Sequence, residues 1–434
     1  MDKMADVLGR AGAWCGQNKY LSAIKNAFQN FMPLTIAGAI GVLWCNVLVN
    51  DQTGLGLFFK PIMALDFLNP AFQAVNFCTI SCITVGITLG IAQEIGVWNM
   101  GAERAGYIPG LVGLAAWLSV TNTSHMVDGA KEAFTGIAGN ELGATGLFTG
   151  MIIGVLSVEL FCFFEKQDAL KIKMPEQVPP GVARAFEVLV PATITLIITA
   201  CIGSACYNLT GLYLNDVIKN GIQGPLGAVG ATIPGVMIIY LVIMLFWLVG
   251  IHGNNMLSAV KEALFTPLAL ENVEAFNKGE TPKNIINMYA LQMWGEFGGS
   301  GVTIGLVIAI MIFGKREDNK AIATLSLVPG LFNINETVTF GIPMVLNPIL
   351  GIPFVVAPLV TIIIGYVLTV IGFCPVACLT VPWTTPPIVF GFLACGANVM
   401  GAVTQAILIV VSTVIYVPFL ISYEKYQNKQ AEEA

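Results

Sequence analysis

Read from its N-terminus, the chain alternates long apolar runs with short polar breaks. Runs from Phe31 to Val49, Ala71 to Ala92, Ala105 to Val120, Thr145 to Phe164, Phe186 to Cys206 and Val229 to Val249 each approach the roughly 20 apolar residues that a helix needs to cross a bilayer. This pattern predicts an all-α polytopic membrane protein. Beyond Val249 the runs shorten and break. Asn284 to Gly301 and Pro329 to Pro343 read as re-entrant hairpins, with Ala259 to Leu270 and Val302 to Phe313 as legs beside the first. Nine of the 22 prolines fall between Pro329 and Pro387, and proline removes amide donors and interrupts helix. Irregular backbone survives at membrane depth only where protein or a water-filled cavity covers it, so this region should line a site. The whole pattern predicts about ten transmembrane helices, two re-entrant hairpins and interfacial amphipathic helices. One of the last is expected in the first 28 residues, where Lys3, Arg10, Lys19 and Lys25 accompany an apolar face that runs through Leu21, Ile24 and Phe28 to Phe31.

Composition agrees with the pattern. Of 434 residues 56% are hydrophobic and 11% charged, against about a quarter charged in soluble domains. The net charge of −6 says little about orientation, which follows the placement of Lys and Arg. Lys166, Lys171, Lys173 and Arg184 share one loop, and Lys315, Arg316 and Lys320 another. With the N-terminal segment, Arg104 and the C-terminal tail, 14 of the 20 basic residues lie on one side. That side is predicted to be the cytoplasm, with both termini in it. The charged, Pro-rich loop from Lys166 to Arg184 divides an N-terminal membrane half, residues 1–182 and continuing through the span ending near 206, from a C-terminal half, 183–434. Ten cysteines include no CxxC pair; Cys78/Cys82 and Cys374/Cys378, spaced i, i+4, read as small packing residues.

Candidate chemistry gathers in the C-terminal half. Glu336 lies in LFNINETVTFGIP, with Asn333, Asn335, Thr337 and Thr339 around it and no Lys or Arg between Ala321 and the C-terminal tail. An ionisable group at bilayer depth costs roughly 3 kcal/mol on insertion scales and marks a functional site by default. His252, in FWLVGIHGNN, follows an apolar run directly, with Asn254 and Asn255 beside it. A lone intramembrane histidine can also serve as a bond between helices, but two further amides favour a ligand site. In MWGEFGGSG, Glu296 adds a second unpaired carboxylate and the glycines predict a tight turn that presents amides; an interfacial loop glutamate is the alternative. Trp247, Trp294 and Trp383 neighbour these groups, while Trp44, Trp98 and Trp117 fall near span ends and read as an aromatic belt. Aromatic rings beside Asn, Glu and His suit a sugar, whose C–H face packs on a ring while its hydroxyls take amides and carboxylates. No nucleotide phosphate loop, hydrolase elbow or metal-ligand spacing occurs, so no cofactor and no nucleic acid is expected.

At these residues the chain resembles enzyme IIC, the membrane component of the bacterial phosphoenolpyruvate-dependent sugar phosphotransferase system, in its lactose/cellobiose class. Gly250-Ile251-His252-Gly253, GEFGGSG, Asn333-Ile334-Asn335-Glu336, Phe340-Gly341-Ile342-Pro343 and Asn347-Pro348 carry the resemblance, which extends over nearly the whole chain. It is similar within that class to diacetylchitobiose and cellobiose permeases. Thr337 departs from the family pattern, which commonly has proline after the glutamate. The resemblance implies residence in the bacterial inner membrane and a homodimer assembled through the N-terminal half. It also implies a sugar held between two oppositely oriented hairpins. A separate cytosolic IIB protein, phosphorylated on cysteine and served upstream by IIA, would phosphorylate the sugar 6-hydroxyl. The family's functional histidine and glutamate map onto His252 and Glu336. In this reading Glu336 is the general base, with Asn254, Asn255, Trp294, Glu296, Asn333, Asn335, Trp383 and Trp247 binding sugar. The basic loops are candidate docking surfaces.

Two other classes fit the same residues. An ion-coupled sugar symporter would use Glu336 as proton carrier and transfer no phosphoryl group. A membrane-embedded glycosyl-processing enzyme would use Glu296 and Glu336 as a carboxylate pair.

Overall fold

Backbone in hydrocarbon must satisfy its own hydrogen bonds, and in the computed structural model of this chain helix does so almost throughout. The structure describes residues 10, 13–14, 17–51, 55–125, 134–175 and 177–433. The only strands among them are the antiparallel pair Ser124–His125 and Phe134–Thr135. The first nine residues of the expected N-terminal interfacial segment, Lys3 included, lie outside the described residues, as do residues 11–12 and 15–16. What is described of it from Lys19 onward continues without a break into the first span, as one 30-residue helix, Lys19–Leu48.

Among the described residues, four more helices are long and apolar enough to cross a membrane: Ala144–Glu165, Pro180–Thr210, Gly351–Val370 and Val399–Gln430. Lys60–Ser81 and Ile83–Met100 are long and apolar enough only when taken together, and they bend by 42° at the break between them; Ile108–Val120, Ile233–Leu248 and Ile304–Phe313 are shorter apolar helices. The six runs read from the sequence before Val249 coincide with helices at these places.

The chain forms two compact units. Among the described residues, one comprises 17–38, 75–125, 134–175 and 177–228. Here Ile83–Met100, Ile108–Val120, Ala144–Glu165 and Pro180–Thr210 pack on one another, and small residues let the backbones approach. A Cβ on Gly113 would lie 2.3 Å from that of Ala92, and one on Gly150 would lie 2.2 Å from Thr88 Oγ1. Trp117 is fully buried in this bundle, so it is a packing residue and not part of an aromatic belt. At one end Glu165, 3% exposed, receives Arg104 at 2.8 Å and Arg184 at 3.0 Å, and Glu187 bridges both arginines. These bonds tie the basic loop to the helices.

Among the described residues, the other unit comprises 10, 13–14, 39–51, 55–74 and 229–433. Its core includes Tyr240, Trp247, Phe265, Trp294, Phe297, Phe354 and Tyr416. Both stretches expected as hairpins lie in it, with different bounds. In the first hairpin region the helix Met288–Gly295 leads into a turn at residues 296–303, and Ile304–Phe313, expected as a separate leg, follows that turn; the second hairpin starts earlier than expected and runs from Glu317–Leu331 through a turn into Glu336–Gly341. The amides of Asn272 and Asn287 both donate to the carbonyls of Asn284 and Ala377, at 2.8 to 3.1 Å. This clamp fixes the start of the irregular stretch that carries Trp383 against the first hairpin.

Candidate functional site

The histidine is presented by a turn at the end of the apolar helix Ile233–Leu248. Gly250 takes a φ of +80°, which glycine adopts without steric cost. A Cβ on Gly253 would lie 2.0 Å from the Ile243 carbonyl oxygen, so the loop can fold back this closely only with glycine there. His252 caps the short helix Gly253–Met256: its Nδ1 accepts from the Asn255 N–H at 3.2 Å. With Nδ1 an acceptor, the neutral imidazole carries its proton on Nε2. That nitrogen lies 3.8 Å from Glu336 Oε1, and both side chains are partly exposed, at 36% and 48%. The separation is too long for a direct hydrogen bond. A single hydroxyl oxygen can nevertheless sit about 2.8 Å from both atoms, within normal hydrogen-bond range.

Glu336 is held by contact between the two hairpin turns. In the first turn Gly298, Gly299, Gly301 and Val302 all have positive φ, of 71°, 89°, 79° and 49°. For the β-branched Val302 this is a strained conformation worth about 1–3 kcal/mol. Neighbours hold the turn: Thr303 Oγ1 donates to the Gly298 carbonyl at 2.6 Å and Tyr416 Oη to that of Gly301 at 2.8 Å. In the second turn Asn333, φ +63°, accepts from the Gly298 N–H at 2.6 Å. Its amide nitrogen donates to the carbonyls of Trp383 and Thr385. Asn335, 3% exposed, donates to the Ser300 carbonyl at 2.8 Å. A Cβ on Gly299 would stand 2.6 Å from that of Asn335, so the turns meet without room for another atom.

This geometry revises several expected roles. Asn333 and Asn335 bind the two turns and the Trp383 loop to each other, so their amides are engaged by protein. Asn254 likewise donates to Ser300 Oγ at 2.9 Å and accepts from Lys261 Nζ at 3.4 Å. Trp247 and Trp294 are each 1% exposed and offer no ring face to a ligand here. The Trp247 ring instead supports that of His252, with centroids 4.4 Å apart. Glu296 is not an unpaired carboxylate: Oε1 forms an ion pair with Lys261 and accepts from Tyr240 Oη at 2.6 Å. That engagement also removes it from a free carboxylate pair with Glu336. Trp383 is 44% exposed, Asn255 exposes its side chain, and His252 and Glu336 face each other. Sequence reasoning missed Lys261, Tyr240 and Ser300. Lys261 and Glu262 were visible as charges inside the apolar stretch Ala259 to Leu270, and a charge there is itself a signal.

Residues 25–358 match the phosphotransferase system EIIC family. This chain belongs to the phosphotransferase system EIIC family. The EIIC chain is 32% identical over 439 residues to the oligo-beta-mannoside-specific EIIC component of Bacillus subtilis (strain 168), covering 100% of this chain and 96% of that one. It is 30% identical over 488 residues to the cellobiose-specific EIIC component of Lactococcus lactis subsp. lactis (strain IL1403), covering 99% of each. Its fold matches the crystal structure of the transporter ChbC, the IIC component from the N,N'-diacetylchitobiose-specific phosphotransferase system. The TM-score is 0.88, with 30% identity over 97% of both chains. An EIIC chain is a multi-pass membrane component that carries sugar within a phosphorylating system, so the symporter reading gives way to group translocation.

Proposed function

We propose that this EIIC chain carries a β-linked disaccharide, diacetylchitobiose or cellobiose, and presents its 6-hydroxyl for phosphorylation by a separate IIB protein. The observation that carries the proposal is the facing of His252 Nε2 and Glu336 Oε1 across 3.8 Å, a gap that one hydroxyl oxygen fills. Glu336 accepts the hydroxyl proton while His252 donates to the same oxygen from Nε2. As the oxygen attacks phosphorus, Glu336 takes up the proton, the sulfur–phosphorus bond of phosphocysteine breaks, and the thiolate leaves with that bond pair. Phosphoryl transfer depends mostly on such positioning and charge stabilisation, so the membrane component needs to supply only the acceptor half of the site. Trp383 provides a ring face for the sugar and Asn255 an amide.

Phosphoryl groups reach IIB from IIA, and IIB docks on the basic side of the protein, which we assign to the cytoplasm with both termini. In the two basic loops Arg184 and Lys171 are occupied by Glu187 and their other internal partners, and Arg316 by Asp318. Lys166, Lys173 and Lys315 are exposed and are the better candidates for contact with IIB. The protein works as a homodimer joined through its N-terminal half in a lipid bilayer, and the sugar-binding half moves to carry its cargo across. The test uses right-side-out vesicles loaded with phosphoenolpyruvate and the soluble partners and given sugar outside. Sugar phosphate should form only when all are present, whereas accumulation of free sugar under a proton gradient alone would refute the proposal.

A further inference from the structure

Lys261 is the one cation that reaches the polar groups behind the His252–Glu336 pair among the described residues, and it is 6% exposed. It projects from the helix Ser258–Asn277 with its ammonium 5.5 Å from the centroid of the Tyr240 ring. It forms an ion pair with Glu296 in the first hairpin turn and donates to Asn254 Oδ1 in the histidine loop. Holding Oδ1 fixes which way the Asn254 amide points, and its nitrogen then donates to Ser300 Oγ. The carbonyl of the same serine accepts from Asn335, the residue before Glu336. A continuous set of bonds therefore runs from Lys261 through the loop that carries His252 and the first turn to the residue beside Glu336.

Burying two charges is no efficient route to stability, since a well-packed apolar pair of similar volume often serves as well or better. An apolar pair cannot orient an amide. We propose that Lys261 is a positioning residue that sets the spacing of His252 and Glu336 by locking the Asn254 amide, and thereby sets selectivity for a sugar bearing a 6-hydroxyl. This rests on the reading that the pair receives that hydroxyl.

The test measures equilibrium binding to purified full-length protein of two probes: the disaccharide the wild type binds more tightly of diacetylchitobiose and cellobiose, and the same disaccharide deoxygenated at its 6 positions. The wild type should prefer the hydroxylated form by about tenfold or more, as hydrogen bonds to charged groups imply. In Lys261→Met that preference should collapse towards unity while affinity for the deoxygenated probe changes little. Lys261→Met leaves Glu296 without its counter-charge, so Lys261→Met/Glu296→Gln is made beside it. The double variant buries no lone charge and should lose the preference too. A merely structural lysine would shift both affinities together, so an unchanged preference in the double variant would overturn the proposal. A wild type indifferent to the 6-hydroxyl would instead overturn the reading beneath it, before Lys261 is altered.

Discussion

Replacing Asn333 separates the contribution of the turn's backbone from that of the contacts its side chain makes. Its amide bonds the Gly298 N–H at 2.6 Å and the Thr385 carbonyl at 3.0 Å, both partly buried, and the Trp383 carbonyl in a more exposed position. Asn333→Ala removes all three. Each buried group left unsatisfied costs about 1–3 kcal/mol; the two partners are only partly buried, so the lower half of that range applies to each, about 2–4 kcal/mol together. Alanine also bears a left-handed φ less well than asparagine, adding about 1 kcal/mol. Asn333→Gly loses the same bonds without the backbone term, and Asn333→Asp keeps the acceptor for Gly298. The expected order of stability is wild type, then Asp and Gly, then Ala. Thermal unfolding in detergent measures that order, and sugar binding should fall in parallel because Trp383 loses its tie to the second turn. Wild-type melting and binding in Asn333→Ala would refute the claim that this residue joins the two turns and the Trp383 loop.

Two further outcomes bear on the site itself. His252→Ala and Glu336→Ala should each weaken sugar binding by about 1.5–3 kcal/mol, the range for hydrogen bonds to charged groups; titration calorimetry with near-normal affinity in both would remove the pair from the site. Trp383→Phe should retain much of the affinity, because a ring face remains, whereas Trp383→Ala should lose it. Equal and small effects in the two would make Trp383 a structural residue.

The helices before Val249 were legible because a helix in hydrocarbon needs an uninterrupted apolar run, and six such runs are present, each of them helical in the structure. The two turns were legible for a related reason: glycines in GEFGGSG and polar residues in NINE interrupt apolar sequence where only a turn can satisfy the backbone, whereas the helices that flank them run to other bounds than expected. The division of labour among the polar residues was not legible. Asn333 and Asn335 advertise donors and acceptors, but their partners stand 35 to 52 and 35 residues away along the chain, and of the two partners of Asn254 only Lys261 is near in sequence, Ser300 being 46 residues away. An amide's sequence neighbours do not reveal whether protein or ligand will use it. Glu296 was read as unpaired because its cation lies 35 residues earlier in a different helix. Trp247 and Trp294 were assigned to a ligand by proximity in sequence, yet helix geometry turns both rings into the core. His252 and Glu336 stood out as polar residues in apolar sequence, and the fold brings them to 3.8 Å.

The central claim is that Glu336 takes the proton as the sugar oxygen attacks phosphorus. Glu336→Gln keeps the shape and hydrogen-bonding capacity of the side chain and removes its basicity. The decisive measurement is the rate of sugar phosphorylation by phospho-IIB at saturating sugar, set against equilibrium sugar binding by the same preparation. Binding should persist while the rate falls by about 10²- to 10⁴-fold, the range for a lost general base. Phosphorylation at the wild-type rate by Glu336→Gln would contradict the account and leave Glu336 as a hydrogen-bonding anchor.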